Sequence, residues 1–225
     1  VKDFPLLFKT IKKAKPQIIF HLAAQPLVRY SYDNPKETFE TNMNGTLNIL
    51  ECIKRIKTIK TGVIVTTDKV YKTNRNRIFN ERDQLGGADP YSASKVCCEF
   101  LTSSYIKSFL NNSKQNVATA RSGNVIGGGD FAKDRLVPDI LKARKNIVIR
   151  NPHSIRPWQH VLDPLNGYII LAEHLIKQKK PLVESSWNFA PNKGSFKTVK
   201  EMTNIFSKNI KKKIKIKKMD GYRKE

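Results

Sequence analysis

The sequence predicts an α/β fold organised around a parallel sheet, and three observations carry that prediction. Apolar runs at residues 17–22, 63–69 and 117–120 read as buried parallel strands. Between them, apolar residues recur at helical spacing, so strands and helices alternate along the chain. The run at 63–69 ends in Thr66, Thr67, Asp68 and Lys69, and the carboxyl ends of strands are where open α/β sheets place their chemistry.

In chain order, Phe4, Leu7, Phe8 and Ile11 mark a short helix within residues 1–15, which Pro16 stops. The strand at 17–22 runs into the small Ala23 and Ala24, which let the backbone approach a flat ligand. A helix beginning near Asn34 and Pro35 aligns Phe39, Met43, Leu47, Leu50 and Ile53 on one stripe, with Asn42 in its middle, where an asparagine is more often a surface residue. Residues 72–88 are polar and contain glycine, a loop suited to lie over a site. Asp89 and Pro90 then open a helix to about Leu110: the aspartate accepts orphan backbone N–H groups, and proline fits the first helical position.

After the strand at 117–120, residues 123–130 read as a loop. Its Gly127, Gly128 and Gly129 lack the spacing of a dinucleotide fingerprint or a phosphate loop. Residues 134–139 open a helix, 147–149 form a short strand, and 151–161, polar and broken by proline, read as a ligand-facing loop. Asp163 and Pro164 repeat the cap pattern ahead of a core-facing stripe of Leu165, Tyr168, Ile169, Ala172, Leu175 and Ile176. Trp187, Asn188 and Phe189 return a strand to the sheet, and Thr198 with Glu201 forms a capping box. The resulting division is 1–122 for the sheet domain and 123–225 for a second domain, with 161–190 returning to the sheet.

A chain of 225 residues buries a real core as one large or two small domains. The net charge of +23 raises nucleic acid or an anionic membrane as a partner. The lysines are scattered over nearly every predicted helix, however, and neither partner is expected. Only residues 211–218 concentrate them, and their lysine–isoleucine alternation predicts a half-exposed strand with lysine outward. No signal-peptide pattern or membrane-length apolar run is present, so a soluble, cytoplasmic protein is expected. Cys52, Cys97 and Cys98 form no paired framework and are expected as reduced thiols. His21, His153, His160 and His174 lack metal-ligand spacing, so no metal is expected.

The sharpest chemical signal is Tyr91 with Lys95. Four residues apart on one helix, they share a face. The lysine ammonium and the positive helix end both stabilise a phenolate, which equips Tyr91 as a general base toward an alcohol. Around this pair stand His21-Leu22-Ala23-Ala24-Gln25-Pro26-Leu27-Val28, Thr67-Asp68-Lys69, Asp89-Pro90-Tyr91-Ser92-Ala93-Ser94-Lys95, Gly123-Asn124-Val125-Ile126-Gly127-Gly128-Gly129-Asp130 and Ile155-Arg156-Pro157-Trp158-Gln159-His160-Val161. With these motifs in this order, the chain resembles the extended short-chain dehydrogenase/reductases that act on nucleotide sugars, and among them the CDP-glucose 4,6-dehydratases.

The resemblance implies a Rossmann-type doubly wound sheet with a smaller interleaved substrate domain, NAD as cofactor and CDP-glucose as substrate. It implies a place in deoxysugar and O-antigen biosynthesis, and a homodimer or higher homo-oligomer. Oxidation at C4, loss of water across C5–C6 and hydride return to C6 would then fall to Tyr91, Lys95, Asp68, Thr67 and Lys69. By the same resemblance Leu22, Ala23, Ala24, Thr66, Tyr91 and Lys95 hold the cofactor, Asn42 sits near the active site, and Gln25, Asn124, Arg135, Arg156 and His160 bind substrate. A guanidinium such as that of Arg156 or Arg135 also suits a diphosphate on chemistry alone.

Two rival classes stay open. Another nucleotide-sugar dehydratase, or an epimerase or reductase of the same fold, shares the site, the last two using Tyr91 and Lys95 without needing an acid at Asp68; a catalytically dead, basic fragment that binds polyanions or nothing is a different class altogether. The chain has no Gly-rich turn between a first strand and helix and no acidic ribose partner, so it is expected to lack the family's first strands and to be truncated at both ends. Lys69 stands where the dTDP-glucose dehydratases carry a glutamate that removes the C5 proton. It serves either as a base of lowered pKa or as a charged stabiliser of the enolate; the second is favoured because Asp68 adjoins it, although strand neighbours point to opposite faces.

Overall fold

Parallel pairing decides the architecture, since each strand of the main sheet must be reached by a crossover that returns the chain to the same end. The computed structural model describes residues 1–72, 78–143, 146–149, 151–178, 185–210 and 215–218. They form two compact units, one of Val1–Ser122 with Leu165–Phe189, the other of Gly123–Pro164 with Ala190–Glu225.

The first unit begins with α1 (Phe4–Ala14), whose N-cap Asp3 accepts from the Leu6 N–H and which ends on a left-handed Lys15. Strands β1 (Ile18–His21), β2 (Thr61–Val65), β3 (Asn116–Ser122) and β7 (Ser186–Phe189) succeed one another across the sheet, all parallel. Between β1 and β2 run α2 (Val28–Asp33), α3 (Pro35–Phe39), a π-helical turn (Glu40–Asn44) and α4 (Gly45–Arg55). Between β2 and β3 lie a 3₁₀ turn (Asp68–Val70), α5 (Pro90–Tyr105) and a second π-helical turn (Ile106–Leu110). Successive residues of β2 feed different cores: Ile64 packs with Leu50, Ile53 and Ile59, and Val63 with Tyr168, Leu171 and Leu175 of α7 (Leu162–Lys177). Helices therefore cover both faces of the sheet, as a doubly wound fold requires.

The second unit holds β4 (Asn124–Ile126), β6 (Ile155–His160) and β8 (Phe196–Thr198) in one sheet, β4 parallel and β8 antiparallel to β6. Strand β5 (Asn146–Ile149) pairs in parallel with β9 (Lys215–Lys218). Helices α6 (Leu136–Lys142) and α8 (Val199–Asn209) share a core of Ile140, Ile147, Ile149, Val199 and Phe206. The capping box at Thr198 and Glu201 forms as the spacing predicts.

Several expectations need correction. The helix expected from Asn34 onward is interrupted by a π-helical turn that adds a residue to one turn: Leu50 and Ile53 are buried as expected, but Thr38, Asn42 and Thr46 are buried where Phe39, Met43 and Leu47 were expected. Asn42, 1% exposed, is thus no surface residue. Strand β1 is half-exposed because it lies at the sheet edge. Asp68 and Lys69 sit in a 3₁₀ turn, so strand alternation does not separate their side chains. Residues 124–126 and 155–160 are strands although glycine and proline suggested loops. Pro157 is tolerated because the β4 ladder starts only at Trp158. In α7, Tyr168, Ala172 and Leu175 of the expected stripe are buried and Leu165 packs against them, but Ile169 and Ile176 are exposed and Leu171 is buried instead. Of the lysine-rich run, 211–214 lies outside the described residues.

Two glycines give contrasting predictions. A Cβ on Gly87 would lie 2.3 Å from the Ala93 backbone nitrogen in the first turn of α5, whereas one on Gly62 would meet the end of the flexible Ile53 side chain. We predict that Gly87→Ala costs about 2 kcal/mol or more and Gly62→Ala less than about 1 kcal/mol, read from urea unfolding midpoints.

Candidate active site

The site is built where β1 and β2 end beside the first turns of α5. Asp89 caps α5 by accepting from the Ser92 N–H at 2.9 Å, and the Ser31 hydroxyl of α2 accepts from the Tyr91 N–H at 3.2 Å. These bonds fix where Tyr91 leaves the backbone. Tyr91 and Lys95 are 8% and 6% exposed. The Lys95 ammonium donates to the Val65 carbonyl at the end of β2, at 2.9 Å. Burial pushes the Lys95 pKa down, while Cys98 and Glu99 on the same helix oppose that shift.

A buried polar chain links the end of β1 to α5. The Gln25 N–H donates to Asn42 Oδ1 at 2.7 Å, and Asn42 Nδ2 donates to the Gln25 carbonyl and to Ser94 Oγ. Gln25 Nε2 donates to Thr38 Oγ1 and to the Leu27 carbonyl, so this amide is engaged within the protein. His21 Nε2 lies 3.2 Å from Thr46 Oγ1, and that hydroxyl lies 3.2 Å from Cys98 Sγ. Burial, with lesser repulsion from Lys95 and the N-terminus, lowers the His21 pKa to about 4. The three cysteines are free, and no cluster able to hold a metal ion occurs among the described residues.

Beyond β2, Thr66 Oγ1 donates to Glu99 Oε1 at 2.5 Å, so this hydroxyl is spent on α5. Thr67 Oγ1 donates to Asp68 Oδ1 at 3.2 Å and accepts from the Lys69 N–H. Past the end of β1, Leu22 and Ala23 are exposed and Ala24 is half-buried. Tyr91, Lys95, Thr66, Thr67, Asp68 and Lys69 thus belong to one neighbourhood of the first unit, tied by the Lys95–Val65 and Thr66–Glu99 bonds.

In the second unit, Asn124 opens β4 in register with Trp158, and Ile126 is in register with His160. The Leu162 N–H donates to His160 Nδ1 at 3.3 Å, a contact that closes the start of α7. Half-buried Arg156 donates to the Ile155 carbonyl and stands in register with Lys197. Arg135 precedes α6 as its N-cap residue, and its buried Nε has no partner among the described residues.

Sequence reasoning missed Glu99 and Arg121, whose side chains are 2% and 3% exposed and joined at 2.8 Å. Their signal was present: an acid one turn beyond Lys95, and an arginine closing the apolar run of β3. Tyr71, which accepts from Arg121 Nη1 at 2.9 Å, carried no such signal.

The GDP-mannose 4,6 dehydratase family model matches residues 1–224. The chain is 49% identical to the CDP-glucose 4,6-dehydratase of Salmonella typhimurium over 209 residues, 88% of this chain and 58% of that protein. It is 33% identical to the dTDP-D-glucose 4,6-dehydratase of Dictyostelium discoideum over 186 residues, 76% of this chain and 42% of that one. The chain therefore spans between two fifths and three fifths of these relatives' length. Among solved structures, the UDP-glucose 4-epimerase of Thermus thermophilus in complex with NAD superposes with a TM-score of 0.79 at 20% identity, covering 96% of this chain and 69% of that one. The dTDP-glucose 4,6-dehydratase of Streptomyces venezuelae with NAD bound gives 0.77 at 21%, covering 96% and 65%. At these identities the structural likeness establishes the fold, which is the Rossmann-type sheet expected.

The low pKa of His21 has a testable sign. The unfolded chain binds a proton near pH 6.5 and the folded chain only near 4, so stability is lost as pH falls through that window. The loss attributable to His21 is about 3 kcal/mol at about 1.4 kcal/mol per pH unit. Urea unfolding at pH 7 and pH 4 should show His21→Gln losing less stability than the parent by about that amount.

Proposed function

The chain belongs to the GDP-mannose 4,6-dehydratase family, and from that premise we propose that a complete protein carrying it converts CDP-glucose to CDP-4-keto-6-deoxyglucose with NAD. The observation that carries this reading is the buried Lys95 ammonium held on the Val65 carbonyl, one helical turn from Tyr91 and beside the turn bearing Thr67 and Asp68. The 49% identity to a CDP-glucose 4,6-dehydratase supports the choice of sugar nucleotide.

The residues present fit the nicotinamide half of NAD. Lys95 has three donors and spends one on Val65, which leaves two for a ribose diol. Leu22 and Ala23 offer an open, small and apolar ledge at the end of β1. When bound, NAD would supply the hydride acceptor for C4 and, in its reduced form, the hydride donor for C6.

The remaining work is assigned to side chains. Tyr91 removes the proton from the C4 hydroxyl, helped by the charge of Lys95 and the N-terminal end of α5. To donate a hydrogen bond to the C4 oxygen, Thr67 turns its single O–H away from Asp68 Oδ1. With a ketone at C4, the C5 proton becomes acidic, passes to water or a neighbouring base, and returns to C5 when C6 receives the hydride. Lys69, as an ammonium, stabilises the resulting enolate. Asp68 supplies a proton to the departing C6 hydroxyl, which leaves as water. Asn124, Arg135, Arg156 and His160 are assigned to the nucleotide and its diphosphate, for which Arg135 Nε, without a partner among the described residues, is a suitable donor.

Two outcomes test this. In a complete protein, Tyr91→Phe should abolish oxidation, while rapid quench of Asp68→Asn should trap a 4-keto-glucose intermediate; its absence from the Asp68 variant would remove Asp68 from the acid role. Residues 1–225 alone lack a Gly-rich pyrophosphate turn, so calorimetric titration of this chain with NAD should give weak or no binding. Micromolar affinity would show that Lys95 and the ledge at the end of β1 suffice.

A further inference from the structure

We propose that the buried Glu99–Arg121 pair positions the turn bearing Thr67, Asp68 and Lys69 against Tyr91 and Lys95, by anchoring that turn at both of its ends. The upstream anchor is Thr66, whose hydroxyl donates to Glu99 Oε1 at 2.5 Å. The downstream anchor is Tyr71, whose hydroxyl accepts from Arg121 Nη1 at 2.9 Å and donates to Asn188 Oδ1 at 2.6 Å. The guanidinium also lies over the Tyr71 ring, 5.1 Å from its centroid. Thr66 and Tyr71 flank the three residues assigned to C4, C5 and C6, and both end on one ion pair.

That pair is itself held from several sides. Arg121 donates through Nε to Glu99 Oε1 at 3.0 Å and through Nη2 to Oε2 at 2.8 Å, a bidentate fork. Glu99 Oε2 also accepts from Thr119 at 2.7 Å and from Ser186 at 3.2 Å. Arg121 Nη1 further donates to the Glu81 carbonyl at 3.1 Å. Glu99 is one turn beyond Lys95 on the same rigid helix, so a displacement of the pair moves Tyr91, Lys95 and the turn together. A buried pair of this kind is weak evidence for stability, because desolvating two charges offsets their attraction. A role in geometry accounts for the pair better than stability does.

The inference rests on the proposed dehydratase reading, and the test separates the two. Thr66→Val and Tyr71→Phe each cut one anchor while leaving the ion pair intact. Thr119→Val removes a hydrogen bond to the same carboxylate from a residue outside the turn. Amide hydrogen exchange is measured on this chain across residues 67–71, without substrate. The expected result is at least a tenfold faster exchange there in Thr66→Val and Tyr71→Phe, and less than a twofold change in Thr119→Val. In a complete protein, Tyr71→Phe should lower kcat about tenfold with KM unchanged, and Thr119→Val should leave kcat within twofold. Unchanged exchange in both anchor variants, or an equal rise in all three, would overturn the positioning role. If the complete parent protein turns over no nucleotide sugar, the dehydratase reading fails while the exchange comparison still decides whether the pair holds the turn.

Discussion

The first unit depends on a helix that turns its polar side inward. In α5, Ser92, Ser94, Lys95, Glu99 and Thr102 are buried, while Phe100 is 60% exposed. Polar groups removed from water must find partners, because an unpaired one costs several times what a satisfied one contributes. Each neighbour of α5 answers that demand: Asn42 meets Ser94, the Val65 carbonyl meets Lys95, and Arg121 with two threonines meets Glu99. The position of the catalytic candidates is set by this satisfaction more than by the apolar core.

Much of the architecture was legible because it rests on local chemistry. Asp89 caps as its side chain predicts, and the strand at 117–120 appears within β3. Thr198 and Glu201 bond reciprocally. Tyr91 and Lys95 were legible as a pair for the same reason, since four residues on one helix fix their relation before any tertiary contact forms.

The hidden features were decided at a distance. The π-helical turn at Glu40–Asn44, which Gly45 follows, shifts the phase of the helix, so that Asn42 within it and Leu50 beyond it are both buried. β4 and β6 are strands because they pair with each other, which their own propensities do not reveal. Glu99 and Arg121 stand at suggestive positions, but only the fold brings these residues, 22 apart, together with both side chains buried. Gln25, read through its family resemblance as a substrate contact, proves to have its amide engaged by Thr38 and Leu27, a distinction that a motif cannot make.

The parallel ladder between β3 and β7 has a consequence for the order of assembly. Thr119 and Ser186 are 67 residues apart, and nearly all of the chain between them winds through the second unit or forms α7. Loop closure grows costly only slowly with length, but the closing strand still has to be synthesised first. On a ribosome, β1, β2 and β3 emerge and can pair well before β7 exists. Until it arrives, Glu99 lacks Ser186 and Tyr71 lacks Asn188, so the polar network beneath α5 closes last. The nascent first unit therefore has an open edge on β3 and lacks two contacts of its polar network until β7 arrives, a state exposed to mispairing.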